Sequence, residues 1–382
     1  MNARTKLLLA ASAALGAVAA CNAISGVGSI TFDRTPDAGG TPDAGSGGAA
    51  DAGACAAVPQ CVPTLESCCN AGSCQSVDTS ADTANCGGCG QPCTSTQTCR
   101  CGQCESLVQL ATGQDGPWNI TLDLAHGLVY WTNATATYTT DGGVWSVPIA
   151  GGIPTEYAQL DGGLDTGIGW SDAGGILYAP GGTVTSDQEA WYFTNKYTGA
   201  VTKLTFQDAG TQLNPQSSNM MPGGIAIFEG NLYWADYLDG GTLMTMPAAG
   251  GTPTPLPVAS PGLYPWNVAL DAIAGEIYWT AQINGNATPD GAVMKVGIPN
   301  GVATAFATGQ SKPWGIALDE CSVYWTDDNA STVVRKSKGG GPIITIAVGQ
   351  SHPRGIVTDG QNVYWVTTGT DGVPGTVMKW AK

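Results

Sequence analysis

Charge is scarce in this sequence: Asp, Glu, Lys and Arg together make up 12% of its 382 residues. That is too little of the helix-favouring Lys, Glu and Arg for a helical protein. With 55 Gly and 23 Pro, the composition suits many short strands joined by tight turns, an all-β chain. Basic residues are scarcer still, 14 against 30 acidic, and the net charge of −16 repels nucleic acid and anionic head groups. No nucleic-acid partner is expected. Histidine is nearly absent: His126 belongs to a turn, and His352 has no partner recognisable at hydrogen-bond spacing. Nor is there a nucleophile elbow, an HExxH, a phosphate-cradling loop or a haem motif, so no catalytic residue, cofactor or metal is expected. A site made of carboxylates alone, such as Asp115 or Asp161, is the remaining route to catalysis.

The one sustained apolar run, Leu7 to Ala20, follows the basic Arg4 and Lys6 and is too short to span a membrane as a mature helix. It ends Val18-Ala19-Ala20-Cys21, which resembles the bacterial lipoprotein signal. That resemblance implies cleavage after residue 20 and diacylation of Cys21. Asn22, where an inner-membrane lipoprotein usually carries Asp, points to lipid-anchored delivery to the outer membrane, facing either the periplasm or the cell surface. Residues 39–54, with the string Pro-Asp-Ala-Gly at 36–39 and again at 42–45, have almost nothing to bury, so residues 21–54 read as a disordered tether.

Eleven cysteines crowd the next segment, 55–104: Cys55, Cys61, Cys68, Cys69, Cys74, Cys86, Cys89, Cys93, Cys99, Cys101 and Cys104. In an exported protein this density marks a small disulfide-stapled module and outweighs a zinc or iron–sulfur site. Because eleven is odd, either one of these thiols stays free or one bonds the distant Cys321.

From residue 105 onward two signatures alternate. One is a strand entered through proline, then a Tyr-Trp strand: Pro117-Trp118-Asn119-Ile120-Thr121-Leu122-Asp123 leads to Tyr130-Trp131-Thr132-Asn133. Further copies enter at Pro222, Pro265, Pro313 and Pro353, and a weaker one lies at Trp191-Tyr192-Phe193-Thr194-Asn195. The other signature is a β-branched strand such as Ser331-Thr332-Val333-Val334. Six units of blade length predict a six-bladed β-propeller. The string Ala111-Thr112-Gly113-Gln114 before the first unit repeats those before the fifth and sixth, while the chain stops after a third strand. A strand at Leu107–Ala111 is therefore expected to close the ring as the outer strand of the last blade.

These units resemble the YWTD repeats of the low-density lipoprotein receptor family, most completely at Pro313 to Asp327. The resemblance covers about 107–382 and implies a propeller that binds protein ligands on one face. Tyr and Trp of the motif read as core aromatics, and Asp123, Asp271, Asp319 and Asp359 as turn caps. The residue after each entry proline should lie at the mouth of the central channel. Trp118, Trp266, Trp314 and Arg354, with His352 beside the last, are therefore the candidate ligand-binding residues. They suit a sugar ring or an apolar peptide segment, with Arg354 able to take a carboxylate; the alternative is that the tryptophans plug the channel as packing. A protein, peptide or glycan ligand is expected, and a propeller enzyme of lactonase or lyase type is the alternative.

Overall fold

The computed structural model describes residues 65–70, 73–95, 97–100, 102–133, 144–158, 173–179, 190–195, 199–205, 208–214, 220–237, 241–256, 263–283, 291–298, 301–370 and 373–382. Every regular element among them is a strand. The first four pair as two hairpins, Leu65–Asn70 with Ser73–Asp78 and Gln97–Arg100 with Gln103–Ser106. Disulfides Cys86–Cys99 and Cys93–Cys104 staple this module, closing loops of 13 and 11 residues. Loops of that size contribute ~3 kcal/mol each in the chain-entropy account. The module leans on the propeller at blade 5: Thr98 Oγ1 donates to Ile346 O at 2.6 Å, and Gln350 Nε2 donates to Ser95 O at 2.7 Å.

Six four-stranded antiparallel sheets follow. Their inner strands are Pro117–Asp123, Ala173–Ala179, Pro222–Phe228, Leu263–Asp271, Pro313–Leu318 and Pro353–Thr358. Each touches the next and the sixth touches the first, so the blades close into a ring. The sixth blade takes its outer strand from the chain start: Gly375–Ala381 pairs antiparallel with Val108–Gln114. The expected closure is present, with the strand starting one residue later and ending three residues later than read from the sequence.

Strand alternation explains why Tyr and Trp stand side by side. Successive residues face opposite sides of a sheet, so one aromatic serves each neighbouring interface. Tyr192 of blade 2 packs with Trp234 of blade 3, Tyr233 with Trp279, Tyr278 with Trp325, Tyr324 with Trp365, and Tyr364 back against Trp131 of blade 1. The five tryptophans are at most 1% exposed.

The repeated Ala-x-Gly-Gln string has a second role. Gly113, Gly309 and Gly349 adopt φ of 71°, 70° and 62°, a turn that non-glycine residues enter at a cost. The following glutamine then accepts the indole N–H of the Tyr-Trp strand: Trp131 to Gln114 at 3.1 Å, Trp325 to Gln310 at 2.9 Å and Trp365 to Gln350 at 2.9 Å. At the far ends of the inner strands, carboxylates cap turns. Asp319 Oδ1 accepts from the amides of Cys321 and Ser322, and Asp359 Oδ1 from those of Gln361 and Asn362. Asp271 caps Ile273 and Ala274 in the same way, and Asp123 caps His126.

Candidate ligand-binding site at the channel mouth

Each entry strand carries a bulge. Pro313 opposes Asp327 and Ile316 opposes Trp325, so Trp314 and Gly315 together face Thr326 alone. The same irregularity follows Pro117, Pro222, Pro265 and Pro353. A bulge re-aims a side chain, and here it turns the residue after proline toward the mouth.

The motif threonine satisfies the amide that the bulge leaves over and ties the next blade. Thr326 Oγ1 accepts from Gly315 N at 2.8 Å and donates to Arg354 O at 2.6 Å. Thr280 accepts from Asn267 N and donates to Trp314 O at 2.6 Å, and Thr194 donates to Gly223 O at 2.6 Å. Hydroxyls thus fix the backbone of three mouth residues from the blade before.

Four of the five predicted residues form one connected group over blades 4, 5, 6 and 1. Trp266 lies against Trp314 with ring centroids 4.2 Å apart, and Trp118 meets Trp314 edge-on at 5.4 Å. The Arg354 guanidinium stacks 4.0 Å from the Trp314 centroid and 4.9 Å from that of Trp118, within cation–π range. The ladder continues to Tyr237, 4.8 Å from Trp266, and to Tyr264, 4.9 Å from Tyr237. The expectation of three indoles open around the mouth needs correction at its centre. Trp314 is only 6% exposed because Trp266, Trp118 and Arg354 cover it, which leaves partly exposed Trp118, Trp266, Tyr237 and Tyr264 as the accessible aromatic surface.

The fifth residue, His352, has a partner that its sequence neighbourhood does not show. Its Nδ1 lies 2.7 Å from Oδ1 of Asp328, whose other oxygen accepts from Arg354 at 2.9 Å and Lys312 Nζ at 2.9 Å. Burial alone would push the Asp328 carboxyl up, but Arg354, Lys312 and His352 outweigh it and hold the group below the usual carboxylate range. Burial likewise pulls the Arg354 guanidinium down while Asp328 opposes it. An ionised Asp328 makes Nδ1 the donor, leaving Nε2 of a ring whose side chain is 46% exposed for a second partner.

Below the mouth runs a channel of about 200 Å³, with Asn119, Thr121, Asn267 and Thr358 among its lining residues and, among those described, no carboxylate or histidine in its wall. Asp115 is exposed in the turn before Pro117, away from that wall. Asp161, Cys21, Cys55, Cys61 and Cys101 lie outside the described residues, and Cys68, Cys69 and Cys74 stand in the first hairpin. Cys89 and Cys321 are both disulfide-bonded. Every other cysteine of the chain stands at or before Cys104, so the Cys321 bond joins the propeller to the sequence preceding it.

Sequence reasoning missed Asp328, Lys312, Tyr237 and Tyr264. Lys312 could have been found by aligning the units, since like the predicted His352 it directly precedes an entry proline where the first unit has Gly116.

No family model and no curated protein matches the chain. Among solved structures, the PQQ-bound aldose sugar dehydrogenase of Streptomyces coelicolor superposes with a TM-score of 0.52 at 18% identity, over 71% of this chain and 96% of that one. A structural-genomics protein of unknown function from Bacteroides thetaiotaomicron gives 0.50 at 17% identity over 72% of each chain. A chain of a nidogen–laminin complex gives 0.49 at 13% identity, over 62% of this chain and 84% of that one. At these identities the likeness concerns the fold alone.

Proposed function

We propose that this chain is a recognition lipoprotein, anchored through Cys21 to the outer membrane, whose propeller mouth binds a protein, peptide or glycan ligand without transforming it. The observation that carries this reading is the mouth itself. Trp266, Trp314, Arg354 and Trp118, contributed by consecutive blades, are in mutual contact and held by buried hydrogen bonds. Pre-built aromatic and cationic surface of this kind is what binding hot spots are made of. The resemblance of Val18 to Cys21 to the lipoprotein signal supports the anchor. That of the Tyr-Trp units to YWTD repeats supports a ligand on this face.

The test is a thermal-shift screen of the mature chain against peptidoglycan fragments, polysaccharides and peptides, beside a Trp118→Ala/Trp266→Ala variant that spares the buried Trp314. A ligand that raises the melting temperature of the parent but not of the folded variant is expected. One that protects both equally would place recognition elsewhere.

The Asp328–His352 contact favours a second reading, an enzyme using His352 as a general base with its Nδ1 held by a carboxylate. That reading requires turnover of a small lactone or ester that His352→Gln abolishes while binding persists.

A further inference from the structure

Lys312 and His352 occupy equivalent places, each directly before an entry proline, and both adopt left-handed backbone, φ 72° and 51°. The first blade fills that place with Gly116, φ 61°, the residue for which the conformation carries no steric penalty. Two blades instead keep a long or ring side chain there despite the strain, and strain of this kind concentrates where a side chain is needed. Both side chains point to one carboxylate, Asp328, as does Arg354 from the adjacent strand.

Two permanent cations face Asp328 here in a chain of net charge −16, and the buried neighbour Asp327 is taken up by the amides of Ser311 and Ala330. Its donors are not used up. The Lys312 side chain is 38% exposed with N–H groups beyond the one on Asp328, and His352 has its Nε2. Arg354, 9% exposed, has a buried Nε that makes no hydrogen bond among the described residues, and neither does the buried Nε1 of Trp266. Partly exposed Trp118 and the edge of Trp266 stand alongside.

We infer that the mouth anchors its ligand by a single carboxylate set beside a flat ring, with Lys312 and His352 as the donors and Trp118 and Trp266 as the wall. This rests on the recognition reading above and narrows its ligand. A polyanion is disfavoured because the surrounding negative field repels it, whereas one carboxylate close to Lys312 meets mainly the exposed ammonium.

The experiment is calorimetric titration of the mature chain with two matched pairs: N-acetylphenylalanine against its amide, and methyl glucuronide against methyl glucoside. We expect one acid to bind at least about tenfold tighter than its neutral partner, the size of a charge-assisted hydrogen bond. The preference should vanish in both Lys312→Met and Lys312→Gly, the second of which also relieves the backbone strain. Which pair shows it tells a peptide terminus from a uronate. Equal binding within each pair, abolished by Trp118→Ala, would overturn the carboxylate anchor and leave recognition at the mouth standing. No binding by any of the four would also overturn the carboxylate anchor, while recognition at the mouth is decided by the thermal-shift screen.

Discussion

Blades 3 and 5 are copies of one unit, and the comparison separates what makes a blade from what makes the mouth. Their Tyr-Trp strands are Leu232-Tyr233-Trp234-Ala235-Asp236 and Val323-Tyr324-Trp325-Thr326-Asp327. The aromatic pair is buried in both, and the closing carboxylate in both accepts a backbone amide of the incoming chain, Met221 in one and Ser311 in the other. The rest of the polar set differs. Trp325 Nε1 has Gln310, while Trp234 Nε1 has no partner among the described residues, where the shorter Asn214 bonds Val201 N and Gly199 O instead. Thr326 becomes Ala235, and Lys312-Pro313-Trp314 becomes Met221-Pro222-Gly223. Tyr, Trp and Asp are enough to seat a blade in the ring. Gln, Thr and the residues flanking the entry proline add the polar ties and the mouth surface, glutamine in blades 1, 5 and 6 and threonine in blades 1, 2, 4 and 5.

This division can be broken most severely at its shared part. Trp325→Ala removes a fully buried indole that wedges blades 4 and 5 and should cost about 3–5 kcal/mol in chemical denaturation, with Trp234→Ala costing a similar amount. A much smaller loss in either would mean the blades are not wedged as described. Next comes Asp328, which only the blade 5 side possesses. Asp328→Ala strands the buried Arg354 and should cost about 2–4 kcal/mol, since two of its three partners are partly exposed.

Acidity acts on the same group. Its folded pKa is depressed, so its stabilising contribution is complete above the ordinary carboxylate range and is lost as pH falls through the folded value. Melting temperature on acidification should therefore fall less steeply in Asp328→Asn than in the parent. Thr326→Val should cost about 1–2 kcal/mol, because it removes the hydroxyl bonds to the Gly315 amide and the Arg354 carbonyl. The smallest expected effect is the reverse change. Ala235→Thr supplies blade 3 with the hydroxyl it lacks, at the position from which Thr326 and Thr280 bond a carbonyl of the next blade, and should add a few tenths to about 1 kcal/mol. A loss instead would show that blade 3 cannot accept the blade 5 pattern.

Sequence periodicity disclosed most of the fold, since six Tyr-Trp units and the repeated Ala-x-Gly-Gln string fix blade number and closure before any contact is known. It placed Trp118, Trp266, Trp314 and Arg354 together for the same reason: equivalent positions in a ring converge. Asp328 was invisible because it stands 24 residues from His352 and belongs to the preceding blade. Only ring geometry brings them together. The burial of Trp314 was equally hidden, because a residue's neighbours around the mouth are supplied by other blades.

The claim that threonine hydroxyls hold the mouth in shape is tested most directly by hydrogen–deuterium exchange of the intact chain, read by mass spectrometry. Peptides covering residues 311–318, where Gly315 N bonds Thr326, should exchange more slowly than those covering 221–228, where Gly224 meets Ala235. Thr326→Val should bring the first up to the rate of the second. Equal rates in the parent protein would contradict the account.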